Sequence, residues 1–419
     1  MRLILGLLVL AALNLNESYL FAEPLPSVCS SSNVFRIKVP VYPDQPDSPT
    51  YDFAYQVRIS NYNIAMPWVI VIPGGPGSPS IGTNEGAVPL YYNTIFTDPR
   101  GSGCNVLPND AYFPTDALTT EYLANDILTI LKQANLSNYF VFGHSYGTVE
   151  ATVLTALVER AGLTPPKGLI LEGVLGLYFY SYDDYIKSYN LQWDRIKTYL
   201  HPNVLDGLAR GNYQGYTSKQ WLAFLAYRMA YGDIPNVGPL AAYELNPLAS
   251  QDLAVVAAAK AKLAANMANI EKPYTKSGIS VWLGCRELWD THTSMDFVNA
   301  TFVRSGSDLC VTYGVPLTRP YDAKDYQVTT PIYYLVGEND PMTHYSHAVY
   351  HYYSQVRAPR SFIFFPKGVG HGPLESQLTE IGKANKFWDY AIFAPDRLRE
   401  GLSKTGLPFN LTQTPATSP

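Results

Sequence analysis

Basic residues are in the minority in this chain. Lys and Arg number 30 against 35 Asp and Glu, for a formal net charge of −5, which leaves no electrostatic footprint for nucleic acid. Cysteine is sparse, with only Cys29, Cys104, Cys285 and Cys310. None of the four sits at a sharp strand-to-helix turn, which argues against a thiol nucleophile, and their spacing is not that of a zinc site. Long apolar runs are missing beyond the first residues, so no later segment is suited to crossing a membrane. No internal repeat is visible.

The one early apolar run, Leu3 to Leu13 behind Arg2, is too short to span a bilayer as a folded helix and reads as an export signal. A polar stretch follows, with Ala22 before Glu23 as the candidate cleavage point, although Leu20 fits the small-residue rule poorly. The expectation is a signal peptide over 1–22 and a mature protein that is secreted or periplasmic. An even cysteine count suits an oxidising compartment. Four cysteines allow three pairings. The simplest joins Cys285 to Cys310 within one segment and leaves Cys29 with Cys104; four buried thiols are the alternative. At 419 residues the chain can bury a large core, and its hydrophobic fraction of 47% is ordinary for a globular protein. Tyrosine is abundant at 33 residues and suits half-buried walls, with an apolar body and a polar tip.

The most informative segment runs from Asn138 to Thr148. A short apolar strand, Tyr139 to Phe142, leads into Gly143-His144-Ser145-Tyr146-Gly147 and then a helix-compatible stretch from Thr148 to Arg160. Gly-x-Ser-x-Gly in a strand-turn-helix setting marks a nucleophile elbow. The serine at the tip needs neighbours without Cβ, because strand and helix crowd the turn. The helix that follows aims its first amides at the place where an oxyanion forms. Upstream, Trp68 to Ile72 reads as a buried strand running into Pro73-Gly-Gly-Pro-Gly77, and Asn93 to Thr97 runs into Asp98-Pro-Arg-Gly-Ser-Gly103. Downstream, Ile332 to Val336 ends in Gly337-Glu-Asn-Asp-Pro341, and Ser361 to Phe365 is followed by Gly368-Val-Gly-His-Gly372. Ser145, Asp340 and His371 therefore occur in the order Ser, Asp, His, each just past a predicted strand, as a catalytic triad on an α/β-hydrolase sheet requires. Glu172, at another strand end, is the alternative acid.

On these motifs the chain resembles the proline iminopeptidase and tripeptidyl-aminopeptidase family of α/β-hydrolases. Those enzymes carry a His-Gly-Gly-Pro-Gly loop, an Asp-x-Arg-Gly-x-Gly loop and a Gly-x-Ser-Tyr-Gly elbow. Here proline, Pro73, stands where the family usually has histidine, while the amide-bearing glycines remain. The resemblance implies an α/β fold with a mostly parallel central sheet, flanking helices and an inserted helical cap. It also implies a serine exopeptidase acting on peptides with a free N-terminus, with Gly75 and Tyr146 supplying the oxyanion amides. In the family, acidic side chains of the cap meet the substrate's ammonium group, and Glu287 is the best-placed candidate for that role.

The strand-and-helix rhythm holds from the opening strands, Val34 to Val41 and Phe53 to Ile59, through a strand at Lys167 to Gly173. It stops between Leu177 and Gln327, where Gln251 to Ile270 reads as a helix. The expected organisation is therefore a first core part over 23–176, an inserted cap over 177–327, a second core part over 328–409 and a loose polar tail over 410–419. His344, His347 and His351 fall near one helical face without an acidic or cysteine partner, which argues against a metal site. Asn135, Asn299 and Asn410 lie in glycosylation sequons. The chemistry needs no metal or organic cofactor. Two other readings stay open: a secreted carboxylesterase or lipase with the same triad, and a silent binding protein that keeps the fold.

Overall fold

The computed structural model describes residues 26–60, 65–83, 88–107, 113–178, 202–213, 215–217, 279–288, 310, 314–338, 340, 342–365, 369–374, 383–406, 408–412 and 414–415, with 197, 257, 261 and 264. The expected signal peptide lies outside the described residues, as do most of the expected cap and nearly all of the helix expected over Gln251 to Ile270.

In chain order the strands are β1 (Val34–Pro40), β2 (Thr50–Arg58), β3 (Trp68–Ile72), β4 (Asn93–Thr97), β5 (Tyr139–His144), β6 (Leu169–Glu172), β7 (Asn212–Tyr213), β8 (Tyr216–Thr217), β9 (Ile332–Gly337), β10 (Arg360–Phe365) and β11 (Asn410–Thr412). β7 and β8 form a separate hairpin. The other nine make one sheet in the order β1-β2-β4-β3-β5-β6-β9-β10-β11. The run from β4 to β10 is parallel throughout, and the antiparallel strands sit at the two edges. The described α-helices are α1 (Thr120–Ala134), α2 (Tyr146–Arg160), α3 (Pro202–Ala209), α4 (Ile279–Leu283), α5 (Tyr345–Ser354), α6 (Lys383–Phe393) and α7 (Leu398–Ser403), and a π-helical turn, Gly284–Leu288, continues α4.

The central strands are near-continuous apolar runs because both faces of the sheet are covered. Successive side chains point to opposite faces. Ile70, Ile72, Val141, Leu169, Leu171 and Val336 pack in one core with α1 and α2. Their neighbours Val69, Val71, Phe140, Phe142, Ile170 and Leu335 pack in another with Phe387 and Trp388 of α6. A strand that had to face water on one side could not carry such runs.

Two polar clusters are buried within this apolar frame. Arg100, fully buried, grips Asp126 of α1 through Nη2–Oδ1 at 2.6 Å and Nε–Oδ2 at 2.9 Å, and donates to the carbonyls of Val41, Ala117 and Tyr122. The Tyr51 hydroxyl adds a 2.6 Å bond to Asp126 Oδ2. Burying two charges is tolerated when each is paired and its remaining donors are satisfied, and the forked guanidinium meets both needs. The second cluster is His351 of α5, whose Nε2 lies 3.0 Å from the Thr152 hydroxyl and Nδ1 2.9 Å from that of Tyr334. It ties α5 to α2 and β9.

Both disulfides join the simplest pairs, Cys29–Cys104 and Cys285–Cys310. The segment after β6 and the segment before β9 meet: Tyr178 N donates to Tyr321 O, and Ala323 N to Gly176 O. The tail departs from the expected loose segment, since Asn410–Thr412 pairs antiparallel with Phe362–Phe364. Ladder bonds are made by backbone whatever the side chains, and the open edge of β10 supplies them. Leu411 also packs against the second core.

Burial pushes the His351 imidazole down to about 3 from its ordinary 6.5. The native state therefore stays neutral there while the unfolded chain takes up a proton below 6.5, so stability present at neutral pH is lost as pH falls toward 3. At pH 5 the wild type should lose about 2 kcal/mol more, relative to pH 7, than His351→Gln does. Urea midpoints of both proteins at the two pH values check this.

Candidate active site

Ser145 sits between β5 and α2 with φ 54° and ψ −123°, one of two non-glycine residues at positive φ among those described. Such a backbone is costly for a residue with a side chain and persists only when its surroundings impose it. Here they do. Ser145 N donates to the carbonyl of Glu172 on β6 at 2.8 Å, and its own carbonyl accepts the Thr148 amide and hydroxyl at 2.9 and 2.7 Å. The glycines two residues to each side are forced by crowding. A Cβ on Gly143 would run into the Gly147 carbonyl, and one on Gly147 into the carbonyl of Ile72 at the end of β3.

The acid and the imidazole come from β9 and β10. Asp340 and His371 are both buried, and His371 Nδ1 lies 2.9 Å from Asp340 Oδ2. Asp340 Oδ1 accepts the amides of Met342 and Thr343, each at 2.9 Å. The Thr343 hydroxyl donates to Oδ2 at 2.5 Å and lies 3.1 Å from His371 Nδ1. Burial alone would push this carboxyl up, but the imidazole, the hydroxyl and the amide of Thr343 together hold it below the usual carboxylate range. Glu172 and Gly173 lie between the serine's turn and the imidazole's loop. Glu172 supports the Ser145 backbone, and a Cβ on Gly173 would stand 2.8 Å from His371 Cε1. The ring of His144, next to the serine, lies 4.9 Å from that of His371, centroid to centroid.

The loop after β3 closes the site. A Cβ on Gly74 would lie 3.1 Å from the Ser145 Cβ, so the backbone of Pro73 to Gly77 abuts the elbow. Gly75 adopts φ 119° and precedes Pro76 through a cis peptide bond. Tyr146 is the first residue of α2, and its amide is part of the helix N-terminus.

A family model described as alpha/beta hydrolase fold matches residues 67–167, from just before β3 to the approach to β6. The chain has the α/β-hydrolase fold. Among solved structures it is similar to a proline iminopeptidase from Mycobacterium smegmatis, at 15% identity and a TM-score of 0.42, over 88% of this chain and 99% of that one. It is likewise similar to Rv0554 from Mycobacterium tuberculosis (13%, TM-score 0.45, 86% and 99% covered). A serine hydrolase, CCSP0084, from Cycloclasticus zankles is another (14%, TM-score 0.43, 86% and 99%). The curated proteins hold no match to this chain.

On this α/β-hydrolase frame Glu287 is buried. Its Oε1 accepts the Thr120 amide at 3.0 Å, at the N-terminus of α1, and its Oε2 bonds the Thr120 hydroxyl. That hydroxyl is in turn 2.7 Å from the Tyr146 hydroxyl. Burial pushes the Glu287 carboxyl up to about 7, against the lowering effect of the two Thr120 bonds. Glu287 also lines a cleft of about 570 Å³ with Asp44, Glu121, Arg319 and Tyr326. Among the described residues no group of three or more His, Cys, Asp or Glu side chains is gathered to hold a metal ion. His344 instead caps α5, accepting the Ser346 amide.

Two contributors go beyond the roles the sequence marks. Thr343 was legible in principle, since Asp-x-x-Thr after a strand is the pattern of a side chain that caps its own turn. The sequence marks Glu172 only as an alternative acid. Its carboxylate accepts the amide of Leu374, three residues past His371, a contact that spans the sheet and leaves no local signature.

Asp340→Asn should lower turnover by about 10⁴-fold while leaving the fold intact, because Asn holds the wrong imidazole tautomer. Steady-state kinetics of Asp340→Asn beside Glu172→Gln test the assignment. A mild loss in the first with a severe one in the second would move the acid to Glu172.

Proposed function

We propose that the chain is a serine aminopeptidase of the proline iminopeptidase or tripeptidyl-aminopeptidase type, cleaving peptide bonds near a free N-terminus. The observation that carries the hydrolase reading is the buried His371–Asp340 pair, 2.9 Å between Nδ1 and Oδ2, set against the strand end that holds Ser145 in its strained turn. The peptidase reading rests on the three glycine motifs taken together.

In this mechanism Ser145 Oγ attacks the scissile carbonyl as His371 Nε2 takes its proton. Asp340 keeps Nδ1 protonated and stabilises the imidazolium. The amides of Tyr146 and Gly75 receive the oxyanion. The proton then passes to the leaving amine, and water hydrolyses the acyl-enzyme by the same route in reverse. All of these groups belong to the chain. The two disulfides and the candidate leader over 1–22 support a place outside the cytoplasm. Among the described residues no helix is long and apolar enough to cross a membrane.

An exopeptidase must meet the α-ammonium with a carboxylate, since burying that charge alone is costly. Glu287 is our candidate, and to serve it would trade one Thr120 bond for the ammonium. The test is a panel of aminoacyl and short-peptide amides, their N-acetylated forms and p-nitrophenyl esters, with wild type, Ser145→Ala and Glu287→Gln. Ser145→Ala should abolish both turnover and labelling by a fluorophosphonate. Glu287→Gln should raise KM by about 10-fold for free N-termini and leave the poor acetylated substrates unchanged. Equal cleavage of free and acetylated substrates by wild type would remove the ammonium anchor and favour a carboxylesterase.

A further inference from the structure

The loop that abuts Ser145 is held from a neighbouring loop. Beyond Gly77 it runs to Ser80 and Ile81, whose amides both donate to Asp98 Oδ1, at 2.7 and 2.9 Å. Asp98 lies just past β4, the strand next to β3 and on the side away from the elbow. Its other oxygen, Oδ2, accepts the amide of Cys104 at 2.8 Å, so one buried carboxylate clasps both loops. Nearer the serine, the Ser102 hydroxyl donates to the Gly77 carbonyl at 2.5 Å. Gly103, at φ 53°, must be glycine for this to work: a Cβ there would collide with Asp98 Oδ2 and stand 2.9 Å from Pro79 Cβ. The far side of the second loop is anchored in turn. Arg100 is locked to Asp126, and Cys104 is bridged to Cys29.

We infer that Asp98 and Ser102 are positioning residues that hold the Pro73 to Gly77 backbone against the elbow, and so fix the amide that receives the oxyanion. This rests on the serine-hydrolase reading above. Neither side chain is proposed to touch substrate. Preorganised donors stabilise the transition state only while their geometry is kept, and displacements on the order of 1 Å cost about 10²-fold. The Asp-x-Arg-Gly-x-Gly motif then acquires a division of labour: Asp and Ser face the oxyanion loop, and Arg ties the motif to α1.

Ser102→Ala, Ser102→Thr and Asp98→Asn separate this role from plain structural support. The readouts are kcat, KM, the acid limb of the pH–rate profile, and affinity for an aminoacyl boronate, whose tetrahedral adduct places an oxygen where the oxyanion forms. Ser102→Ala should lower kcat by about 10-fold, and Asp98→Asn, which turns an NH₂ toward the Cys104 amide or the loop amides, by about 100-fold. Boronate affinity should weaken in proportion, while KM and the acid limb stay put because His371 and Asp340 are untouched. Ser102→Thr should restore most of the loss. Unchanged kcat and boronate affinity in Ser102→Ala would overturn the inference, whether or not Asp98→Asn folds. So would a loss of kcat that leaves the ratio of boronate to substrate affinity at the wild-type value. A wild type that neither turns over the panel nor labels at Ser145 would instead sink the serine-hydrolase reading itself, and that result is visible before any of these variants is made.

Discussion

Glu172, at the carboxyl end of β6, bonds both halves of the site at once. Its carbonyl accepts the amide of Ser145 and its carboxylate accepts the amide of Leu374, while the next residue, Gly173, lies against the His371 ring. A parallel sheet makes this possible, because the ends of β5, β6, β9 and β10 all open on the same edge and a single strand end can reach two loops. The serine and the imidazole come from parts of the sequence on either side of residues 177–327. What brings them into register is the pairing of Leu169–Glu172 with β5 on one side and β9 on the other.

The second requirement is steric. The elbow stacks the end of β3, the tip of the turn and the start of α2 so closely that Gly143 and Gly147 have no room for a side chain. Ser145 carries the positive φ that results. The strain is supported from below by a well-packed helix pair: α1 and α2 share an apolar core, and the Arg100–Asp126 cluster closes the polar side of α1. A loose core would let the turn relax to an ordinary conformation and withdraw the hydroxyl.

Much of this is legible in the sequence. Strand-turn-helix around Gly143 to Gly147 is a local pattern, and local patterns survive in sequence. The six parallel strands announce themselves as short apolar runs ending in glycine-rich loops, and their observed bounds differ from the expected ones by a few residues at most. The order Ser145, Asp340, His371 followed from topology, since each had to lie past a strand. What stayed hidden were contacts between distant segments made by ordinary residue types. Arg100 with Asp126, Thr152 with His351 and Glu172 with Leu374 have no spacing rule, because the fold alone makes them neighbours. The bond from the Thr120 amide to Glu287 has no spacing rule either, although an anion at a helix N-terminus is favoured. The tail's pairing with β10 was hidden for a different reason, since a three-residue edge strand needs no apolar alternation.

The closure of the chain on itself at Gly176 to Tyr178 and Tyr321 to Ala323 has a consequence for how such a protein changes over time. Whatever lies between those two points starts and stops on the same pair of hydrogen bonds, so its length is free of the sheet's register. Loop-closure entropy grows only logarithmically with length, so a longer or shorter excursion costs little. The stretch from Ile279 to Leu288 is the exception, since it packs in the first core and seats Glu287 against Thr120. A lineage that kept it could exchange the rest of the excursion and leave the serine, the acid and the imidazole where they are.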